Sequence, residues 1–274
     1  MGQIIFIKDI FAFIIGCCFG SFINVVIHRL PIGESIIIPG SRCIKCGHKI
    51  RWFENIPLIS WLILRGECKN CTKKISLSYP LIELISGLLF VLNNYSSPSI
   101  FSLDSTLTSI IFGWFFITTL LTIAIFDIKF FWIPNSICQL GISSGIISSI
   151  IFSIIYYDSV KFLLIFECLT SAFLGYAIFQ FIIAIGFKIF KKPVMGQGDA
   201  KLSGLIGSWL GVKGLMITIW LAFNLAGIFV IIGLIAKKVQ RNQKIPFGAF
   251  LAFSAIYVWQ FGNSIFRNLT YLGT

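Results

Sequence analysis

The sequence predicts an all-α, polytopic membrane protein with about eight transmembrane helices and one sizeable polar loop between the first two. Two observations support this prediction. First, 57% of the 274 residues are hydrophobic and only 12% are charged, whereas soluble domains carry about 25% charged residues. Second, long apolar segments alternate with short clusters of Lys and Arg, a pattern typical of multi-pass membrane proteins.

Seven apolar segments are long enough, or nearly so, for a span of about 20 residues. They are Ile10–Ile27, Leu81–Tyr95, Leu107–Phe126, Ser136–Tyr156, Phe162–Ile189, Gly214–Ala236 and Phe247–Phe266. Because basic residues follow the first segment rather than precede it, we expect an uncleaved span and not a signal peptide. The short glycine-rich segment 201–212 is the eighth candidate, either as a full crossing or as a re-entrant segment.

The basic residues predict the orientation of these spans. Nine Lys and Arg lie in the loop His28–Pro80, four lie between Lys188 and Lys201, and four more lie between Lys237 and Lys244. Cytoplasmic loops are enriched in such residues, and two crossings between the last two clusters keep all three inside. We therefore expect the loop on the cytoplasmic side and both termini outside. The net charge of +12 comes from these clusters, which do not form a nucleic-acid-binding face.

The loop His28–Pro80 contains four of the eight cysteines, arranged as two CxxC pairs. They are Cys43, Cys46, Cys68 and Cys71. Two such pairs favour a tetrahedral Zn²⁺ site, and a reducing cytoplasm favours metal binding over the alternatives, two disulfides or a redox pair. Four thiolates leave no open coordination position, so the expected ion is structural. It would stabilise a loop that is too small for a core of its own.

Carboxylates at membrane depth are costly and are by default candidates for function. Asp127 ends the third apolar segment and Asp199 begins the short glycine-rich one, so we expect both near cytoplasmic ends of spans. Two carboxylates that face each other share one proton, and such a pair can activate water and protonate a peptide carbonyl. We expect Gly196 and Gly198 to let a substrate backbone approach, and a helix beginning there would favour ionised Asp199.

The two aspartates also have alternative roles that residue types alone leave open. Each can form a structural ion pair, for instance with Lys129 or Lys201. The pair can also act as a proton relay in a transporter or channel, or the chain can be a scaffold without chemistry. A metalloprotease is disfavoured, because the sequence has only His28 and His48 and no HExxH motif.

One face of the first span is polar at its inner end. Ser21, Asn24 and His28 share this face beside Gly16 and Gly20. The pattern favours close helix packing. The alternative is a wall of a cytoplasmic site, at which a cofactor or a substrate helix packs on the glycines.

Two glutamates also lie in apolar segments. Glu83 follows Pro80 and is expected in the first turn of a helix, where a carboxylate is favoured. Glu167 lies in the fifth span with no evident partner.

Seven segments, in order along nearly the whole chain, together resemble one family. They read GCCFGSFINVVIHRLP, SIIIPGSRCIKC, ENIPLISWLILRGECKNC, YPLIE, AIFDIKFFWIPN, VMGQGDAKL and IPFGAFLA. They are similar to type IV prepilin peptidases (prepilin leader peptidase/N-methyltransferases), which are intramembrane aspartic proteases of the GxGD type. Asn135 stands where an aspartate is common in that family, outside the catalytic pair.

The resemblance implies both an activity and its residues. Asp127 and Asp199 would be the catalytic pair, and the four loop cysteines would bind zinc. Type IV prepilins or pseudopilins would be cleaved after a short basic leader, at the cytoplasmic face of the bacterial inner membrane. The family also implies N-methylation of the new N-terminus, often Phe, with S-adenosylmethionine, an activity linked to the N-terminal half.

We accordingly predict two domains. Residues 1–95 would comprise the first span, the zinc loop and the second span. Residues 96–274 would form the membrane aspartic peptidase domain.

Overall fold

The regular elements of the protein are helices, as predicted. The structure, a computed structural model, describes residues 2–96, 107–156, 161–191, 195–238, 240 and 243–271. Within these ranges the helices are α1 (Gly2–Arg29), α2 (Ile59–Ile63), α3 (Ser78–Asn93), α4 (Leu107–Phe130), α5 (Asn135–Tyr156), α6 (Lys161–Phe190), α7 (Gln197–Ile235) and α8 (Phe247–Tyr271), with 3₁₀ turns at Leu30–Ile32 and Trp52–Glu54. Among these residues, α1, α4, α5, α6 and α7 are long and apolar enough to cross a membrane, while Ser78–Asn93 and Phe247–Gly262 are shorter apolar stretches.

The short glycine-rich segment proposed as an eighth span is the first part of α7. Gly211 interrupts this helix with φ 64° and ψ −177°, a conformation that is essentially restricted to glycine. The helix therefore consists of two stretches that meet at Gly211. The number of full crossings and the side of the membrane that each loop faces stay predictions.

Prolines set the starts of three helices. Pro80 lies in the first turn of α3, Pro134 immediately precedes α5 and Pro246 immediately precedes α8. The fixed φ of proline suits a helix start, where the missing N–H costs nothing. α4 ends at Phe130, and Phe131 adopts a positive φ of 52°. Asp127 thus lies in the last turn of its helix.

The chain divides into two compact units, and the first is Met1–Tyr95. Its helices α1 and α3 pack antiparallel, since the side-chain amide of Asn24 donates to the Tyr79 carbonyl (3.2 Å) and that of Asn94 donates to Asp9 (3.1 Å). A Cβ on Gly20 would lie 2.6 Å from the Glu83 Cα.

The glycines of α1 therefore serve helix packing. A Cβ on Gly16 would lie 2.7 Å from the Cα of Gly87 on α3, a separation that real Cβ atoms do not show. Their alternative role, as a glycine wall for a cofactor or a substrate helix, is wrong, because α3 covers them.

The second unit is Ser96–Thr274, in which α7 packs against α5, α6 and α8. Trp209 on α7 is fully buried, stacks on Phe116 with ring centroids 4.8 Å apart, and donates its indole N–H to the Gly141 carbonyl at 2.8 Å. Small residues let the helices approach closely: a Cβ on Gly175 of α6 would lie 2.5 Å from the Ser203 carbonyl oxygen. This packing fixes the start of α7, where Asp199 lies.

Candidate active site

Asp127 binds the N-terminus of a neighbouring helix. Its side chain is buried in the last turn of α4, and its Oδ2 accepts a hydrogen bond of 2.9 Å from the backbone N–H of Ala249. Ala249 is the third residue of α8, so its N–H has no partner within its own helix. The carboxylate therefore caps α8 at the end where the helix dipole favours negative charge.

Asp199 lies at the N-terminus of its own helix. α7 begins at Gln197, so Asp199 is in its first turn, as the sequence predicted. The side chain is buried, and its Oδ2 accepts the backbone N–H of Gly196 at 3.3 Å. Both aspartates are thus held by peptide N–H groups at helix starts.

The two carboxylates meet over Gly248. A Cβ at this position would lie 3.0 Å from Oδ2 of Asp127 and 3.1 Å from Oδ1 of Asp199. The two oxygens are therefore no farther apart than the sum of these distances. A side chain at residue 248 would therefore press on both carboxylates, so their close approach depends on glycine at this position.

Ile133 packs against two glycines of this region. A Cβ on Gly198 would lie 2.9 Å from the Ile133 Cβ, and one on Gly248 would lie 2.7 Å from the Ile133 Cδ1. Gly198 is thus required for packing, and the expectation that it opens a path for a substrate backbone is wrong. Gly196 fits that expectation better, because the nearest atom to a Cβ there is the Asp199 Oδ2 at 3.5 Å.

Among the residues that the structure describes, the carboxylate pair has no basic partner. None of the ion pairs found there includes Asp127 or Asp199. Lys201, which the sequence offered as a partner of Asp199, instead donates to the side-chain oxygen of Asn135. This arrangement argues against a structural ion pair as the reason for either aspartate.

Sequence reasoning missed Gly248 and Ala249 as parts of this site. The only signal was the segment IPFGAFLA. In it, Gly248 comes two residues after Pro246, the proline that precedes the helix. Its partner Asp127 lies 122 residues earlier, so no local pattern connects them.

The four loop cysteines form a second cluster, within the first unit. Their Sγ atoms all lie within 4.8 Å of one another, with 3.9 Å between Cys43 and Cys71 and 4.0 Å between Cys46 and Cys68. These separations are far beyond the roughly 2.05 Å of a disulfide. They are close to the edges of about 3.8 Å expected for four thiolates around an ion with bonds of about 2.3 Å. The cluster could therefore hold a tetrahedral metal ion, as predicted.

The two CxxC segments adopt the same local fold. In the first, the Gly47 N–H donates to the Cys43 carbonyl at 2.9 Å; in the second, the Thr72 N–H donates to the Cys68 carbonyl at 2.9 Å. Gly47 and Thr72 both have positive φ, 71° and 52°. Each turn folds back so that both sulfurs of its pair point to one centre.

Backbone N–H groups prepare two of these thiols for metal binding. The pKa of Cys46 is lowered to about 6, with the His48 N–H as the largest cause, and the pKa of Cys68 is lowered mainly by the Cys71 N–H. The pKa of Cys71 is instead raised to about 11, by burial and by the neighbouring sulfurs. Thiolates are the ligand form of cysteine. His48 stays outside the set, since its Nε2 lies 3.5 Å from a carboxylate oxygen of Glu54.

A cavity of about 380 Å³ lies in the first unit, beside the cysteine cluster. Ser21, Asn24 and His28 line it, so the polar face of α1 forms part of a cavity wall, the less favoured of its two expected roles. Glu83 also lines the cavity. It is the sixth residue of α3, not part of the first turn as expected, because the helix begins at Ser78.

Two buried carboxylates thus meet among apolar helices, and a GxGD sequence surrounds one of them. The sequence model described as "Type IV leader peptidase family" matches residues 114–232, and the one described as "Bacterial Peptidase A24 N-terminal domain" matches residues 14–96. The chain belongs to the type IV leader peptidase family.

Relatives match most of the chain. The prepilin leader peptidase/N-methyltransferase of Myxococcus xanthus is 32% identical, over 87% of this chain and 68% of the relative. The proteins of the same description from Stutzerimonas stutzeri and Aeromonas hydrophila are each 31% identical, over 93% of this chain and 91% of the relative. No solved structure matches the chain significantly.

Proposed function

We propose that this protein removes the short basic leader from type IV prepilins or pseudopilins at the cytoplasmic face of the bacterial inner membrane. Asp127 and Asp199 are its acid–base pair. The observation that carries the proposal is the convergence of the two buried carboxylates over Gly248. The names of the relatives, which describe prepilin leader peptidases, support the choice of substrate.

The chemistry follows from one proton shared by two carboxyl groups. The ionised carboxylate takes a proton from a water molecule as its oxygen attacks the scissile carbonyl, while the protonated carboxyl donates its proton to the carbonyl oxygen. A proton then passes to the leaving nitrogen, and the peptide bond breaks. Helix N-termini stabilise the ionised form.

The membrane setting suits a pilin precursor. Such a substrate has a basic leader in the cytoplasm and an apolar helix in the bilayer, so its scissile bond lies near the membrane surface. A peptide bond can be cut only where the substrate helix unwinds, and unwound backbone at that depth needs polar partners. Gly196 leaves room for such a strand beside Asp199, because the nearest atom to a Cβ there is the Asp199 Oδ2 at 3.5 Å.

The same protein methylates the new N-terminal amine in this proposal, as the N-methyltransferase names of its relatives suggest. S-adenosylmethionine supplies the methyl group. The ion in the four-cysteine cluster is Zn²⁺, since tetrahedral sites with four thiolates are typical of structural zinc. With no open coordination position, it holds the loop and takes no part in either reaction.

Co-expression with a candidate prepilin tests both activities. The mass of the product reports leader removal and, separately, the addition of one methyl group. The test requires that the protein is inserted in the membrane and that each major prepilin is tried. If every precursor then stays unprocessed, the proposal is contradicted.

A further inference from the structure

The cleavage chemistry proposed above uses none of the residues that line the cavity of the first unit. Its volume of about 380 Å³ is in the range of small-molecule sites, about 300–1,000 Å³. Exposed basic side chains surround its polar end: Arg42, Lys45, Lys69, Lys73 and Lys74. Glu83 lies at the opposite, helical end with Ser21 and Asn24 of α1. The lining also includes the buried Arg29 and Glu54, which pairs with Lys69 at 3.0 Å. Basic groups therefore predominate in the lining.

Within the described ranges, Glu83 is a buried acid without a cation. It is 7% exposed, and none of the ion pairs in this part of the chain includes it. One oxygen, Oε2, accepts the Leu58 backbone N–H at 2.8 Å. A buried carboxylate without a counter-charge is costly. Its position on a cavity wall gives a positively charged ligand access to it.

The backbone that holds Glu83 is strained. Leu58 has φ 62° and ψ −51°, and the Ile59 N–H donates to the Pro57 carbonyl at 2.7 Å, which closes a tight γ-turn. This conformation is rare and strained for leucine. Such strain persists where the surroundings fix it, frequently at binding sites. Here it directs the Leu58 N–H to the carboxylate and so fixes the orientation of that group.

We propose that this cavity is the methyl-transfer site and that the Glu83 carboxylate binds the α-amino group exposed by leader cleavage. The inference rests on the proposed function and adds the place and the residue. It assigns a chemical role to Ser21, Asn24 and Glu83, which the peptidase mechanism does not use.

The cavity fits the methyl donor as well as the amine. S-adenosylmethionine carries a carboxylate, which suits the basic rim, and an adenine ring, which can pack on an aromatic side chain such as Trp61 of the cavity wall. The substrate amine precedes an apolar helix. Glu83 lies about 8 Å from the start of the apolar helix α3, at 1.5 Å per residue. The carboxylate of Glu83 and the amine of the substrate therefore both lie where a polar segment meets an apolar helix.

The carboxylate also suits the reaction. The ammonium bound by Glu83 first releases one proton to water. The neutral amine then forms the N–CH₃ bond with its lone pair while the S–CH₃ bond of the donor breaks and its electron pair stays on sulfur, which leaves a neutral thioether. Positive charge moves onto the nitrogen during this step, and a nearby carboxylate stabilises it. The extra proton of the methylated ammonium then passes to Glu83 and on to water.

Peptide binding tests the role of Glu83. The probes are a fluorescent peptide with the first residues of the mature pilin and a free amine, and its N-acetylated counterpart, measured by anisotropy with S-adenosylhomocysteine present. Wild type and the control Asp9→Asn, an acid of α1 that lies outside the cavity and accepts a hydrogen bond from Asn94, are expected to prefer the free amine about tenfold, the effect of one charge-assisted hydrogen bond. Glu83→Gln, which can still accept the Leu58 N–H, should lose this preference, and Glu83→Asp should recover part of it. A preference retained by zinc-loaded Glu83→Gln overturns the proposal.

Photolabelling with methyl-tritiated S-adenosylmethionine tests the location of the donor. Label competed by S-adenosylhomocysteine is expected in peptides within residues 21–83, and label confined to residues 107–271 overturns the proposal. Leader cleavage is measured in the same preparations. If wild type cleaves and methylates while either binding test fails, this inference is wrong and the proposed function stands; if wild type does neither reaction, both are wrong.

Discussion

The backbone N–H of Ala249 donates to the carboxylate of Asp127 at 2.9 Å, across 122 residues of sequence. This contact joins the end of α4 to the start of α8. It fixes one carboxylate beside Gly248 while the start of α7 supplies the other.

The first prediction concerns the carboxylates themselves. Asp127→Asn and Asp199→Asn should each reduce leader removal by about 10²-fold or more, because each removes one half of an acid–base pair. The measurement is the fraction of a co-expressed prepilin that is processed in membranes with equal enzyme content. Glu167→Gln, another acid in an apolar helix of the same unit, is the control and should process normally. Substantial processing by either asparagine variant would rule out the assignment.

The second prediction concerns Gly248. Gly248→Ala should lower cleavage by about a hundredfold, because the new Cβ contacts both carboxylates and Ile133, and misplacement of about 1 Å in a catalytic group has an effect of this size. The matched control is Gly227→Ala in α7, where a Cβ meets nothing within 4 Å. The measurement is the rate of cleavage of purified prepilin. Equal rates for the two variants would show that cleavage does not need the close approach of the two carboxylates to residue 248.

A third prediction concerns the metal. Purified protein should contain about one zinc per chain, bound through four thiolates. Cys43→Ser should lower this content and expose the loop to proteolysis, because metal binding supplies its folding energy. Cys18→Ser, an exposed cysteine of α1 outside the cluster, should change neither property. Elemental analysis without zinc, together with oxidised cysteine pairs in fresh membranes, would favour disulfides instead.

The fourth prediction separates the two activities. Asp199→Asn should still methylate a pilin that is supplied already cleaved, because methyl transfer needs a neutral amine and no activated water. An amine with an ordinary pKa of about 7.7 has a useful neutral fraction at cytoplasmic pH. The readout is the mass of the supplied pilin after incubation with membranes and S-adenosylmethionine. Loss of methylation in a zinc-loaded Asp199→Asn variant would show that the two sites depend on each other.

The fifth prediction concerns the break in α7. Gly211→Ala should destabilise the protein by about 1–3 kcal/mol, because only glycine adopts its backbone conformation without strain. Gly227→Ala should be neutral or slightly stabilising, since alanine is the better helix former. Thermal unfolding in detergent measures the difference, and equal midpoints would contradict the expected strain.

Much of the fold was predictable because each signal is local. Apolar segments of sufficient length predict helices, prolines mark their starts, and the CxxC pairs predict the cysteine cluster. Asp199 could be placed in a first turn because the glycine signal at the start of the helix, Gly196 and Gly198, is adjacent to it in sequence.

The rest depends on contacts between distant segments. The donors to Asp127 come from α8, and the partner of Glu83 is the backbone of Leu58, whose positive φ is unusual for leucine. Gly198 was misjudged for a similar reason, because Ile133, the residue that requires it, lies in the connection before α5. Composition and spacing carry no information on these pairs.

In the part of the chain that the structure describes, backbone N–H groups stabilise the carboxylate pair, and lysine and arginine side chains do not. This difference affects how a basic substrate can approach. A basic leader approaching a site that contained a fixed cation would be repelled by it, whereas the N–H groups at the starts of α7 and α8 carry only partial charges, which are directed at the aspartates. Salt screens such short, buried hydrogen bonds far less than exposed ion pairs. In the proposed reaction, a positively charged chain can therefore approach the pair without repulsion from a cation among the described residues.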